Sequence, residues 1–147
     1  MTEPIAMTTR IVPPGTRVGI TEEMVRDVVH TFYADIRTDP ALGPVFRRVI
    51  GEDWGPHLAK MCDFWSSVLL MTGRYEGNPM AAHVAVGGIR PTHFARWLHL
   101  FRQTVEKLCP PPAAEMFVMR AEMIARALQR GIAVLTPPLP GAAASAS

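Results

Sequence analysis

Apolar side chains recur at α-helical spacing along most of this chain, with polar side chains between them. The first such segment places four apolar residues at intervals of four: Met24, Val28, Phe32 and Ile36. Thr21 precedes the segment and is suited to cap the amino terminus of a helix. Asp39-Pro40 follows it, and a proline disfavours helical backbone in the residue before it. The pattern therefore predicts a helix between Thr21 and Asp39.

A longer helix is predicted from about Trp54 to Met71, because one stripe runs through it at spacings of four and three: His57, Met61, Phe64, Val68 and Met71. A short helix follows this one. Asn78-Pro79 is suited to begin it, since asparagine caps helices well and proline is tolerated in the first turn. Gly87-Gly88 ends it.

Two further helices are predicted in the second half of the chain. The first opens at Pro91-Thr92 and carries one apolar side: Phe94, Trp97, Phe101, Val105 and Leu108. Prolines 110–112 interrupt it, and the last helix carries another set: Phe117, Ala121, Ile124 and Leu128. Residues 41–46 (ALGPVF) indicate a turn or a brief helix. No segment shows the alternation of a strand, so we expect an all-α fold with about five helices.

Both ends of the chain lack this periodicity. Residues 1–19 mix proline, threonine and glycine, and residues 136–147 combine proline with alanine and serine. Such segments bury too little apolar surface to fold by themselves. We therefore expect one domain over residues 20–135, between a disordered N-terminal extension and a disordered tail.

Composition narrows the classes of function. The net charge is only +2 and the basic residues are scattered, so we expect no nucleic-acid partner. No apolar run is long and uncharged enough to span a bilayer, and no signal-peptide core is evident, which indicates a cytoplasmic protein with no membrane partner. Cys62 and Cys109 are the only cysteines. A disulfide scaffold and a zinc ribbon are both excluded.

Two histidines lie among apolar residues, where a polar ring needs a partner or a cavity. His57 heads its stripe, and the commoner explanation is a core-edge histidine bonded to a backbone carbonyl. His83 sits among small alanines and valines that leave room for a flat ligand, although a structural histidine is again commoner. His30, His93 and His99 show no useful spacing. Zinc, nucleophile and phosphate-loop motifs are absent, so the residues alone indicate a helical domain with two unusual histidines.

The order of these features resembles the group III, or class P, truncated haemoglobins. The matching motifs lie between residues 21 and 133, in this order: Phe32-Tyr33, DPALGPVF at 39–46, His57 with Phe64-Trp65, the Tyr75, Gly77 and Pro79 segment leading to His83, FARWLHLF at 94–101, and RAEMIA at 120–125. The glycine-pair motifs of the other two branches are not evident. The order and intervals together make the resemblance specific.

The resemblance implies a truncated globin fold, a two-over-two helical sandwich around haem b. It implies His83 as the proximal ligand of the iron, and Tyr33, His57 and Trp97 as polar residues on the distal side. Lys60 matches a basic position near a haem propionate. Four apolar residues are implied to pack on the haem: Phe46, Met61, Phe64 and Phe94. The C-x-x-C-H signature is absent, so we expect the haem to be held non-covalently.

The resemblance further implies that O2 and other diatomic ligands, NO and CO, bind at the iron. We expect redox chemistry of oxygen or NO rather than oxygen transport, an unidentified reductase, and a monomer or weak dimer. An NO dioxygenase and a peroxidase-like enzyme that uses peroxide stay open, and a cofactor-free helical binding module is the alternative from another class. Also open is whether His57 faces in, faces out or itself ligates ferric iron.

Overall fold

The computed structural model describes residues 11–135, which contain seven α-helices and no strand. In chain order the helices are α1 (Pro14–Arg17), α2 (Glu22–Thr38), α3 (Leu42–Ile50), α4 (Gly55–Leu70), α5 (Pro79–Val86), α6 (Pro91–Leu108) and α7 (Pro111–Leu135). Residues 1–10 and 136–147, on which most of the two expected disordered segments fall, lie outside the described residues.

Two helix pairs form the body of the fold. Helix α2 packs on α4, α6 packs on α7, and α2 joins the pairs through its contact with α6. The largest fully buried side chains lie between them: Phe32, Phe101, Phe117, Ile36, Leu42 and Leu69. The predicted all-α, two-over-two architecture is therefore confirmed.

The boundaries of α2 follow from local chemistry. The Thr21 hydroxyl accepts a hydrogen bond from the Met24 amide at 3.1 Å, which caps the helix as predicted. Asp39 ends it, and its buried carboxylate accepts the amides of Ala41 and Leu42 at 3.0 and 2.9 Å. The same carboxylate accepts two hydrogen bonds from Arg96 on α6, at 3.0 and 2.6 Å. One aspartate thus ends α2, starts α3 and ties both to α6.

The expectation of disorder through residue 19 is wrong for Pro14–Arg17, which form α1. Gly15 is buried against α4, where a Cβ atom on residue 15 would lie only 2.7 Å from the Leu69 carbonyl oxygen. Glycine permits this close backbone approach, and Ile20 then enters the core with 2% exposure. The packing comes from one glycine and a buried isoleucine, which periodicity cannot reveal.

Other boundaries also differ from the sequence-based prediction. Residues 42–50 form a nine-residue helix, which is longer than the turn or brief helix expected over residues 41–46. Prolines 111 and 112 begin α7, because proline is tolerated where the first amides of a helix have no partner in any case. Met71, predicted in the apolar stripe, is 54% exposed and ends α4 in the left-handed conformation. No helix within residues 11–135 is both long and apolar enough to cross a membrane.

Candidate functional site

A cavity of about 650 Å³ opens between the two helix pairs, lined by residues from α2 through α7. Its volume lies within the range of small-molecule and cofactor sites. Every residue that the resemblance placed at the haem lines this one cavity: Tyr33, Phe46, His57, Lys60, Met61, Phe64, His83, Phe94 and Trp97. The fold therefore brings the predicted set together, whereas the role of each toward haem stays a prediction.

His83 lies on α5, which Asn78 caps by accepting the Ala81 amide at 3.0 Å. The His83 Nδ1 atom lies 2.6 Å from the Pro79 carbonyl oxygen. A carbonyl oxygen only accepts hydrogen bonds, so Nδ1 carries the proton and Nε2 keeps its lone pair. Metal-bound histidines are held in the same way, through the ring nitrogen that faces away from the metal. The Phe94 ring stacks on the imidazole, 6.4 Å away and tilted by 27°.

His93 is a second imidazole on the cavity wall, and its backbone contact has the opposite sense. The Arg90 amide donates to His93 Nδ1 at 2.9 Å, within the turn that starts α6. An amide N–H only donates, so Nδ1 is the acceptor and the proton of the neutral ring lies on Nε2. His93 therefore could offer Nε2 to a metal only after changing its tautomer, whereas His83 is already in the ligating form.

Tyr33, on α2, also lines the cavity, with 5% of its surface exposed. Burial raises the pKa of its phenol far above the ordinary range, and the nearby indole of Trp97 opposes this effect by favouring the phenolate. The phenol therefore remains protonated at neutral pH and available as a hydrogen-bond donor. Trp97 lines the same cavity, where its indole N–H is a second donor that is shared with the Tyr33 oxygen.

His57 lies beside Tyr33, with the two ring centroids 4.8 Å apart and the rings nearly perpendicular at 87°. Its Nε2 atom is buried and has no hydrogen-bond partner within residues 11–135. The backbone-bonded, core-edge explanation for His57 therefore fails for this nitrogen. Burial, aided by the charge of Lys60, lowers the pKa of His57 to about 4, so the ring is neutral at physiological pH.

The apolar walls complete the cavity. Phe46 stands edge-on to Tyr33 at 5.9 Å, and Phe64 stands edge-on to Tyr75 at 5.1 Å. Met61 lies in the same wall. Lys60 lines the cavity and is exposed to solvent. A cation that pairs with a carboxylate at the rim of the cavity must have this position.

Sequence reasoning missed part of the lining. Helix α3 contributes four further apolar residues, Leu42, Val45, Val49 and Ile50, and α7 contributes Ile124, Ala125 and Leu128. Positions 45, 46, 49 and 50 share one helical face, and this signal was available in the sequence but extends past the turn or brief helix expected over residues 41–46. The α7 residues have the same periodicity as core residues, so spacing could not separate them from the core. His93 was set aside because no other histidine shares its helix face.

The arrangement brings an imidazole lone pair, an O–H donor, an N–H donor and a neutral imidazole into one cavity. The chain is 33% identical over 113 residues to the group 3 truncated haemoglobin ctb of Campylobacter jejuni, covering 75% of this chain and 89% of that protein. The fold is similar to the crystal structure of the group III truncated haemoglobin from Campylobacter jejuni, with a TM-score of 0.74 and 31% identity over 77% of this chain and 91% of that one. No protein-family model matches the chain. The identity over most of both chains shows that this protein belongs to the group III truncated haemoglobins.

Proposed function

We propose that this chain binds haem b non-covalently in the cavity, with His83 Nε2 as the protein ligand of the iron. The observation that carries this proposal is the hydrogen bond between His83 Nδ1 and the Pro79 carbonyl, at 2.6 Å. It fixes the tautomer that leaves Nε2 unprotonated, and iron requires a neutral imidazole with that lone pair.

The other residues of the cavity fit the same group. A flat apolar macrocycle needs aromatic and aliphatic walls, which Phe46, Phe64 and Phe94 supply from three helices. Its carboxylates need a cation near solvent, and exposed Lys60 is that candidate. The buried His57 Nε2 without a partner also indicates that something else occupies this space, because a buried polar atom left unbonded costs about 1–3 kcal/mol.

Haem iron supplies an open coordination position at which a diatomic ligand such as O2, NO or CO binds. In this proposal Tyr33 and Trp97 orient such a ligand through the phenol O–H and the indole N–H. Charge-assisted hydrogen bonds of this kind are strong in a water-poor cavity. His57 stays neutral and narrows the path by which the diatomic ligand approaches Tyr33 and Trp97. The same donors slow ligand release, which favours redox chemistry with O2 or NO over oxygen delivery, with electrons from a separate reductase.

Haem titration into the apoprotein tests the cofactor assignment. We expect one haem per chain, and absorption spectra of the ferric, ferrous and CO-bound forms that indicate a single histidine on the iron. A protein that takes up no haem in a stoichiometric, saturable manner would contradict the proposal.

Turnover assays distinguish the two possible catalytic roles, NO dioxygenase and peroxidase. Addition of NO to the oxygenated protein with a reductant tests dioxygenase activity, and peroxide with an aromatic electron donor tests peroxidase activity. The two donors in the cavity, Tyr33 and Trp97, favour measurable turnover in at least one assay. If both assays give rates no higher than those of free haem, the proposed redox role is wrong and only the proposed ligand binding remains.

A further inference from the structure

Trp54 is a buried aromatic residue that stands behind the cavity and is not part of its lining. Its ring lies 6.4 Å from Tyr33, 6.3 Å from Phe46 and 6.2 Å from His57, measured between ring centroids. These three side chains come from α2, α3 and α4 respectively. One indole thus contacts three residues that line the cavity from three different helices.

The indole itself is held from two directions. Its Nε1–H donates to the Gly51 carbonyl at 3.0 Å, and Gly51 ends α3 with a positive φ of 84°. The Arg37 guanidinium lies 5.1 Å from the centroid of the indole, a distance at which a cation is attracted to the face of the ring. Arg37 also donates to the Glu52 carbonyl at 3.4 Å, and Arg47 donates to the Arg37 carbonyl at 3.2 Å. Residues from α2, α3 and the following loop therefore fix Trp54.

Tyr33 and His57 need such support, because within residues 11–135 His57 Nε2 has no hydrogen-bond partner, and the Tyr33 hydroxyl meets the Trp97 indole but no backbone group. A donor that no backbone group anchors takes its orientation from the side chains packed around it. Trp54 is a packing partner that Tyr33 and His57 share, and its ring is in turn stacked on Phe46 at 25°.

We propose that Trp54, clamped by Arg37 and the Gly51 carbonyl, is a positioning residue that sets Tyr33 and His57 toward a ligand in the cavity. It touches neither the ligand nor the cofactor and acts only through the side chains in front of it. This inference rests on the proposed haem function.

Three substitutions test the inference at increasing severity. Arg37→Gln removes the cation above the ring, Trp54→Phe removes the Nε1–H bond, and Trp54→Leu removes the aromatic contacts. Phe117→Leu is the matched control, because Phe117 is fully buried and packs on Trp65 and Phe101 instead of Tyr33, Phe46 or His57. All four variants should take up haem, since His83 lies on another helix.

We expect oxygen dissociation to quicken severalfold in Trp54→Phe and about tenfold in Trp54→Leu, as for the loss of about 1.4 kcal/mol of donor interaction. Phe117→Leu should release oxygen at the parent rate. In a Tyr33→Phe background, Trp54→Leu should change the dissociation rate less than twofold, because the Tyr33 donor is already gone and His57 narrows the approach of the ligand instead of holding it.

The C–O stretching frequency of the ferrous CO complex gives a readout independent of turnover, because hydrogen-bond donors near the ligand shift it. We expect a shift in Trp54→Leu, a smaller shift in Trp54→Phe and Arg37→Gln, and none in Phe117→Leu. Parent frequencies and rates in the three test variants would overturn the inference, as would an undiminished Trp54→Leu effect in the Tyr33→Phe background. Loss of haem from Trp54→Leu but not from Phe117→Leu would also overturn it. A parent protein that takes up no haem contradicts the proposed function instead.

Discussion

At the scale of single residues, two imidazoles that line the cavity are distinguished by the backbone group each one meets. Pro79 presents a carbonyl to His83 Nδ1, and Arg90 presents an amide to His93 Nδ1. The first contact frees Nε2 as a base, and the second makes Nε2 the donor. The sequence showed where His83 stands, through the short helix begun by Asn78-Pro79. It could not show the tautomers, because these depend on local backbone geometry.

The two distal donors give the first prediction. Tyr33→Phe and Trp97→Phe each remove one donor from the cavity wall, and a charge-assisted hydrogen bond contributes about 1.5–3 kcal/mol. We expect each variant to release oxygen about ten to a hundred times faster than the parent protein. The double variant should fall short of the product of the two effects, because both donors serve one acceptor. Stopped-flow dissociation measures all three, and parent rates in both single variants would refute the donor assignment.

The lowered pKa of His57 predicts how the free energy of unfolding depends on pH. Burial and Lys60 lower its pKa to about 4, whereas the unfolded chain has the ordinary value of about 6.5. The unfolded state therefore takes up the proton first, and the free energy of unfolding falls as the pH drops from about 6.5 to about 4. The Asp39 carboxylate stabilises the fold throughout this range, and its contribution is lost only at lower pH, because Arg96 holds its pKa below the ordinary value.

His57→Leu should flatten this part of the profile. Urea unfolding of the parent and variant apoproteins between pH 4 and pH 7 provides the measurement. A parent and variant that lose stability in parallel across this range would show that His57 titrates normally in the folded state.

At the scale of helices, most of the prediction came from helix-capping residues and apolar stripes. Thr21 and Asn78 begin their helices as the sequence indicated, since each side chain accepts an amide three residues ahead. The short elements α1 and α3 were missed or underestimated. Helix α1 is too short to show a helical period and depends on the contact of Gly15 with a residue far along the chain, whereas the apolar face of α3 extends past the residues from which it was predicted.

Asp39 gives the prediction for the α2–α3 junction. Its buried carboxylate receives two backbone amides and the Arg96 guanidinium. Asp39→Ala removes a helix cap and leaves these donors unsatisfied, which we expect to lower the free energy of unfolding by about 2–4 kcal/mol. Asp35→Ala, an exposed position on the same helix, is the control and should change it by less than about 0.5 kcal/mol. Equal effects of the two substitutions in urea titrations would contradict this role.

Gly15 gives the prediction for α1. A Cβ atom at this position would lie 2.7 Å from the Leu69 carbonyl oxygen, closer than van der Waals contact allows. Gly15→Ala should therefore push α1 away from α4 and lower the midpoint of thermal unfolding by several degrees. Thr16→Ala, in the same turn but exposed, is the matched control. A melting temperature equal to that of the control would mean that α1 does not stabilise the domain.

At the scale of the whole molecule, residues far apart in the chain meet at one cavity because two helix pairs leave space between them. The resemblance assigned the site residues by motif order, and their convergence needed the tertiary structure. Spacing alone could not have separated Phe46 and Phe64, which line the cavity, from Phe32 and Phe101, which fill the core. All four lie on apolar faces, and only the position of each face relative to the gap between the pairs differs.

The most direct test of the central claim is haem ligation in His83→Ala, with His93→Ala as the matched control. We expect His83→Ala to bind haem weakly or not at all, and added imidazole to restore the parent ferrous and CO-bound spectra by occupying the vacated position. His93→Ala should keep the parent spectra without imidazole, because its Nε2 is a donor. A His83→Ala protein that holds haem with a parent spectrum in the absence of imidazole would contradict the account.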